Sequence, residues 1–164
     1  IPGTHPTKGS FFTRGSSRDE YARYTEESPA YKRNMDRLTK KWETAKTLVH
    51  KPEFYQEQST SKVGVVFYGT TTQSAVEAMD IMKEQGVQVD GMRLRSFPFD
   101  ASVEQFIENH DKVFVIEQNR DAQCRTLLIN ELEIYPKKLI PVLNYDGMPI
   151  TADYIYTEIL SKIG

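Results

Sequence analysis

The sequence predicts a three-layer α/β/α domain with a mostly parallel sheet, preceded by an extended arm and one long helix. Three observations predict it. Short apolar runs alternate with amphipathic stretches of helical period from about residue 61 onward. Each strand-like run is followed by a stretch long enough for a crossover helix, which is how parallel strands are joined. Composition also breaks near residue 60: the first 60 residues hold 11 basic and 8 acidic residues, the remaining 104 hold 10 and 15, so net charge passes from +3 to −5 as apolar content rises. The compact domain is therefore placed at residues 61–164 and the appendage at residues 1–60.

The elements follow in order. Residues 1–28 are rich in Gly, Pro, Ser and Thr without a sustained period, which argues for an extended loop segment. Ser28 and Pro29 supply an N-cap and a first-turn proline for a helix over about 29–50, ended by Pro52. Its apolar positions Met35, Leu38, Trp42, Ala45 and Val49 recur in steps of three and four and form one stripe. A coiled coil is the alternative, but three heptads without systematic charge pairing favour packing within the chain.

"KVGVVFYG" is the first strand of the compact part, and a helix with Ala75, Val76, Met79 and Met82 on one face runs from it to Gly86. "VQVDGMRLRSFPF" alternates as a strand broken by Pro98. Asp100 or Ser102 caps a helix that turns Val103, Phe106 and Ile107 inward. "KVFVIEQN" is the third strand, followed by a helix with Cys124, Leu127, Leu128 and Leu132 as its stripe. Pro141 displaces the fourth strand, "KLIPVLNYDG", to an edge. Thr151 caps a final helix with Tyr154, Ile155, Ile159 and Ile163 inward.

Composition excludes several functions. A net charge of −2, in a composition that is not markedly basic, argues against nucleic acid and anionic membrane. No apolar run approaches the roughly 20 residues that span a bilayer, and the N-terminus has neither the basic start nor the apolar core of a signal peptide. It reads instead like the middle of a longer chain. The single cysteine, Cys124, closes no intrachain disulfide and cannot hold an iron–sulfur cluster, and a reducing, cytoplasmic setting fits it.

Few residues point to chemistry. "YGTTT" lies between the first strand and its helix, where amides and the helix dipole suit a phosphate. It lacks the spaced glycines of a dinucleotide site and the Gly-Lys-Ser/Thr of a Walker loop, so threonine capping is the simpler expectation. His5, His50 and His110 are scattered without zinc spacing; the last two suit helix ends, and His5 sits in a loop without an obvious structural job. No G-x-S-x-G elbow occurs, and Cys124 falls among apolar helix positions as an inert thiol. The paired acids Asp19-Glu20 and Glu26-Glu27, beside Arg18 and Arg23, read as a solvated salt-bridge surface.

The sharpest feature is the polar cluster Glu117, Gln118, Asn119, Arg120, Asp121 and Gln123, placed where a buried strand turns into a helix. In open α/β sheets that junction commonly holds ligands or partners. Three readings stand: capping by Asn119 or Asp121 within a hydrogen-bond network, an interdomain or subunit contact, or a small-molecule site.

"HPTKGSFFTRGSSRDEYARYTEE", "NMDRLTKKWETA", "RLRSFPF", "VFVIEQNRDAQCRTLLINEL" and "VLNYDGMPIT" together resemble the C-terminal part of the alpha subunit of 2-oxoacid:ferredoxin oxidoreductases, most closely the 2-oxoglutarate type. The resemblance runs along nearly the whole chain in the same order. It implies a domain similar to the C-terminal domain of transketolase, with a mixed sheet containing one antiparallel strand. It implies a holoenzyme that oxidatively decarboxylates a 2-oxoacid using thiamine diphosphate, magnesium, iron–sulfur clusters and coenzyme A, and reduces ferredoxin. This chain shows no glycine-aspartate-glycine stretch followed by asparagine to hold magnesium and diphosphate. The resemblance therefore implies a chain that binds no cofactor and supplies no catalytic residue. Its partners are the remaining alpha-subunit domains and the beta subunit, with coenzyme A and ferredoxin at holoenzyme level. The candidate interface or active-site-proximal residues are His5, Arg14, Glu117, Gln118, Asn119, Arg120 and Asp121, with Phe11, Phe12 and Arg14 packing on a thiamine-binding domain. A stand-alone small-ligand or nucleotide-binding α/β module is the alternative.

Overall fold

A computed structural model describes residues 4–5, 7–8, 15, 17–55 and 61–163. The contacts divide the chain into two units, Ile1–Thr47 and Leu48–Gly164. Phe11, Phe12 and Arg14 lie outside the described residues.

The first unit contains more structure than a loop. Strands β1 (Ser17–Arg18) and β2 (Tyr24–Thr25) pair antiparallel. Asp19 Oδ1 closes the turn between them by accepting from the backbone N–H groups of Tyr21 and Arg23, both at 2.9 Å. Of the paired acids expected at a salt-bridge surface, Glu20 meets Arg33 at 3.9 Å and Asp19 is this turn's acceptor. Helix α1 runs from Ser28 to Lys46, four residues short of the expected end, because Thr47 stops it with its hydroxyl on the Thr44 carbonyl. Glu27, not Ser28, takes the cap position. Ala30 is buried, and the Asn34 side-chain amide donates to the Arg18 carbonyl, so the start of α1 leans on the hairpin. On the apolar stripe of α1, Met35, Leu38 and Trp42 are 40%, 44% and 41% exposed. Among the described residues of this unit the sheet is two strands of two residues each.

The second unit carries the sheet. Its strands are β3 (Glu53–Tyr55), β4 (Val63–Tyr68), β5 (Asp90–Leu94), β6 (Lys112–Glu117) and β7 (Leu139–Leu143), ordered β3-β5-β4-β6-β7. Four run parallel and β3 is antiparallel to β5, giving the mixed sheet with one reversed strand. β3 draws the sheet unit back to Leu48. Its sequence, three residues behind Pro52, is too short to show a period. Glu53 instead anchors it from the side, taking Arg93 on Oε2 at 3.0 Å and Arg95 on Oε1 at 3.1 Å. The Arg93 hydrogen bond, reinforced by the charge of Arg95, holds the Glu53 carboxyl below its ordinary pKa.

Strand alternation sends side chains to two cores. Val65, Phe67, Phe114 and Ile116 face helices α2 (Thr72–Glu84) and α5 (Ala152–Ile163), where Met79, Met82, Ile155 and Ile159 are buried. Val66, Met92, Val113 and Val115 face α3 (Ala101–Asn109) and α4 (Gln123–Leu132), where Phe106, Ile107 and Leu128 are buried. Three layers result, as the alternating pattern predicts. Asp100 caps α3 by accepting from the Ser102 N–H at 3.0 Å, and Thr151 Oγ1 accepts from the Tyr154 N–H at 3.2 Å. Tyr154 differs from expectation: it points outward, with its hydroxyl on the Leu143 carbonyl at 2.7 Å. In α4 only Leu128 is fully buried; Cys124, Leu127 and Leu132 are half-buried.

His110 does meet its helix end, with Nδ1 2.6 Å from the Phe106 carbonyl, and its Nε2 lies 3.1 Å from Asp90 Oδ2 in a buried pair beneath β4. His50 does not, since α1 ends at Lys46; its carbonyl instead accepts from the Ser96 hydroxyl at 2.6 Å.

A Cβ on Gly64 would lie 2.9 Å from the Phe106 ring and 3.2 Å from the His110 ring, so β4 needs a bare backbone there. Gly64→Ala is expected to lose about 1–3 kcal/mol of stability through overpacking, read as a lower urea midpoint at unchanged slope.

Candidate functional site at the carboxyl edge of the sheet

The chain winds from β4 to β5 on one side and then crosses to β6 on the other, so the winding direction reverses between β4 and β6. Outside the carboxyl ends of these two strands lies the crevice where such sheets bind ligands. Tyr68 ends β4 and Glu117 ends β6. Both sides of the predicted cluster meet there.

Glu117 fills the crevice. It is 0% exposed. Its Oε2 accepts from the Cys124 N–H at 2.7 Å and its Oε1 from the Arg125 N–H at 2.9 Å, the second and third amides of α4. Asn119 Nδ2 donates to Oε2 at 2.8 Å. A helix N-terminus with free amides attracts an anion, and here the chain provides its own carboxylate. The role expected of Asn119 or Asp121 thus falls mainly to Glu117. Asn119 Oδ1 assists by accepting from the N–H groups of Asp121 at 3.1 Å and Gln123 at 3.3 Å, while Asp121 caps nothing.

The same carboxylate tunes its neighbours. Burial first, and then the Glu117 charge, push the Tyr68 phenol up to about 12. The Cys124 thiol is pushed up to about 12 by the same two causes, so it stays protonated at neutral pH and is a poor nucleophile.

Gln118 ties three segments together. Its Nε2 donates to Thr71 Oγ1 at 3.1 Å and Thr70 Oγ1 at 3.3 Å, and its Oε1 accepts from the Ile150 N–H at 3.3 Å. The threonines of "YGTTT" therefore do not cap α2 with their side chains: Thr70 and Thr71 receive Gln118, and the Thr72 hydroxyl donates to the Gly69 carbonyl at 2.7 Å. Arg125 extends the clamp, giving Nε to the Leu139 carbonyl and Nη2 to that of Pro136, both at 2.7 Å.

Beyond this inner layer the edge is open. Arg120 and Asp121 pair only with each other, at 2.8 Å, and are 73% and 58% exposed in their side chains. Tyr145 and Met148 project nearby, and a groove of about 590 Å³ lies between them, Thr70, Gln118, Asn144 and Pro149. A second groove of about 440 Å³ on the other side of the crevice is lined by Tyr68, Leu94, Phe97, Phe99, Cys124 and Leu127. His5 lies in the first unit, exposed, with Nδ1 accepting from the N–H groups of Thr7 and Lys8 at 3.1 Å each. Sequence reasoning missed Tyr68 and Arg125; the tyrosine's place at the end of an otherwise apolar strand was the available signal.

Among the described residues no group of three or more His, Cys, Asp or Glu side chains is arranged to hold a metal ion. An iron–sulfur cluster needs several thiolates and the whole chain has one cysteine, already neutral and half-buried, so the residues present do not fit that group. No helix of the described residues is long and apolar enough to cross a membrane.

Fold and edge together define a class: a doubly wound sheet domain whose ligand crevice is sealed by its own side chains. Residues 61–152, more than half of the chain, match the family "Pyruvate:ferredoxin oxidoreductase core domain II", and the chain belongs to that family. The alpha subunit of 2-oxoacid:ferredoxin oxidoreductase 2 from Aeropyrum pernix is 28% identical over 140 residues, which cover 83% of this chain and 22% of that protein. The chain thus spans about a fifth of the length of the curated relative it matches. Among solved structures, 2-oxoglutarate:ferredoxin oxidoreductase from Magnetococcus marinus, with 2-oxoglutarate, coenzyme A and succinyl-CoA bound, superposes with a TM-score of 0.82 at 22% identity, over 99% of this chain and 28% of that one. A split-gene transketolase, an inactive tetramer, superposes at 0.56 with 19% identity over 68% of this chain and 40% of that one. Both show the fold: a transketolase-like sheet domain, as the sequence resemblance implies.

Two substitutions test the crevice. Glu117→Gln keeps the shape but gives up one acceptor oxygen and the charge facing the α4 amides, and is expected to cost about 1–3 kcal/mol by chemical denaturation. Ala122, the residue before α4, sits at φ +50°, where a Cβ is strained. Ala122→Gly is expected to raise stability by about 1 kcal/mol, read as a higher midpoint in the same assay.

Proposed function

We propose that this chain is the sheet domain of the alpha subunit of a thiamine-diphosphate-dependent 2-oxoacid:ferredoxin oxidoreductase acting on 2-oxoglutarate, and that its contribution is architectural. In the holoenzyme the 2-oxoacid loses carbon dioxide, the acyl group passes to coenzyme A, and two electrons leave through iron–sulfur clusters to ferredoxin. Thiamine diphosphate, magnesium and the clusters are held by the remaining alpha-subunit domains and the beta subunit, in the cytoplasm. The family membership and the alpha-subunit relative support the assignment to such an enzyme.

One observation carries the architectural part. The crevice that would receive a ligand is filled by Glu117, whose oxygens are committed to Cys124, Arg125 and Asn119. What the edge offers outward is Arg120, Tyr145 and Met148, the residue types enriched where protein surfaces meet. Gln118 joins the loop that bears the last two to the turn after β4, so these exposed residues stand on a braced frame.

Replacing the three together, Arg120→Glu, Tyr145→Ala and Met148→Glu, is expected to weaken assembly of the complex and lower 2-oxoglutarate-dependent ferredoxin reduction at least about tenfold, since hot-spot truncations cost upwards of 2 kcal/mol. The variant chain alone should keep its melting temperature within a few degrees. An assembled, fully active variant complex would defeat the interface role; turnover of 2-oxoglutarate by the isolated wild-type chain would defeat the architectural one.

A further inference from the structure

His110 and Asp90 are both buried, and their side chains meet where the end of α3 closes on the start of β5. The imidazole ring is fixed from three elements. Phe106 of α3 stacks on it with ring centroids 4.4 Å apart, Gly64 of β4 lies so close that a Cβ there would press on it, and Asp90 of β5 takes its far nitrogen.

The two hydrogen bonds of the ring need one proton more than the usual forms of the two side chains supply. Nδ1 lies 2.6 Å from the Phe106 carbonyl, an oxygen that can only accept, so Nδ1 carries a hydrogen. Nε2 lies 3.1 Å from Asp90 Oδ2, and that bond needs a second hydrogen, on the nitrogen or on the oxygen. A neutral imidazole facing an ionised carboxylate has only the first. It would set a nitrogen lone pair against a carboxylate lone pair and leave a net negative charge out of water, and both are costly. With the second hydrogen the pair is neutral as a whole, whichever atom holds it. The surroundings do not supply that charge balance among the described residues: Glu104 and Glu108 of α3 and the flanking Lys62 and Asp111 are exposed, and Arg93 of β5 is engaged with Glu53.

We propose that His110 and Asp90 form a proton-dependent latch between α3 and β5, closed by one proton that the folded chain holds and the unfolded chain releases. Below about pH 6.5 a histidine in an unfolded chain is protonated too, and the latch contributes its full stability. As pH rises past that value the unfolded chain gives up the proton while the folded chain keeps it, so stability falls. The sheet domain is thereby built to tighten in acid and loosen in alkali. The latch lies at the amino edge of the sheet and does not rest on the proposed function.

The test is urea unfolding of the full chain from about pH 6.5 to about pH 8.5, in wild type and in Asp90→Asn. An asparagine amide can donate to Nε2, so a neutral ring satisfies both bonds and the variant folds without the extra proton. The folding constant of wild type should drop about tenfold per pH unit relative to that of the variant, as one linked proton requires. His5 and His50 are common to both proteins, so the comparison cancels them. Equal pH slopes in the two proteins would overturn the proposal. Wild type supplies a second reading: at about pH 8, proton magnetic resonance should show two slowly exchanging downfield signals from the His110 ring and its partners, one for each hydrogen bond. A single such signal, or none, would overturn the proposal whether or not the variant folds.

Discussion

The carboxylate of Glu117, buried at the end of β6 and hydrogen-bonded to two amides in the first turn of α4, is the interaction on which the rest of the carboxyl edge depends. A charge out of water is tolerated only when its oxygens are engaged, and here a helix N-terminus and an amide side chain engage them. α4 is bounded by residues at positive φ on both sides, Ala122 and Glu133, neither a glycine. Glu117 and Asn119 hold the first of these in place. From that point the frame extends outward: Arg125 ties the helix start to the approach to β7, and Gln118 ties the β4 and β7 loops to each other.

The consequence for function is subtractive. Related doubly wound folds use the reversal of winding to admit a ligand, and helix N-termini to hold its negative charge. In this chain both resources are consumed internally. The thiol and phenol beside the carboxylate are moved away from reactivity, because a fixed negative neighbour and burial both favour their neutral forms. A braced edge bearing arginine, tyrosine and methionine is of the composition that suits protein contact.

How much of this the sequence showed depended on the range of the interactions. The four parallel strands and the helices α2, α3 and α5 were legible because their residues alternate or recur with helical period against a core that buries them. β3 was not, since three residues pair with Arg93, Met92 and Gly91 some forty positions away and leave no period. The polar cluster was legible as a place and not as an arrangement. Glu117 was placed at the strand's carboxyl end with the rest of the cluster, and strand alternation turns it inward with Val113 and Val115, on the α4 side of the sheet. Asp121 carried a cap-like sequence signal and caps nothing. α1 shows the opposite limit: its stripe was readable, but whether a stripe is packed depends on what lies opposite it.

The most direct measurement is amide hydrogen exchange at Cys124 and Arg125 in the intact chain. These two N–H groups start α4, where amides lack helical partners and ordinarily exchange with water. If Glu117 occupies the crevice as described, both will be protected to about the level of the β6 core amides. Rapid exchange at both positions, with β6 itself protected, would mean that the crevice is open and that the sealed edge is not what this sequence builds.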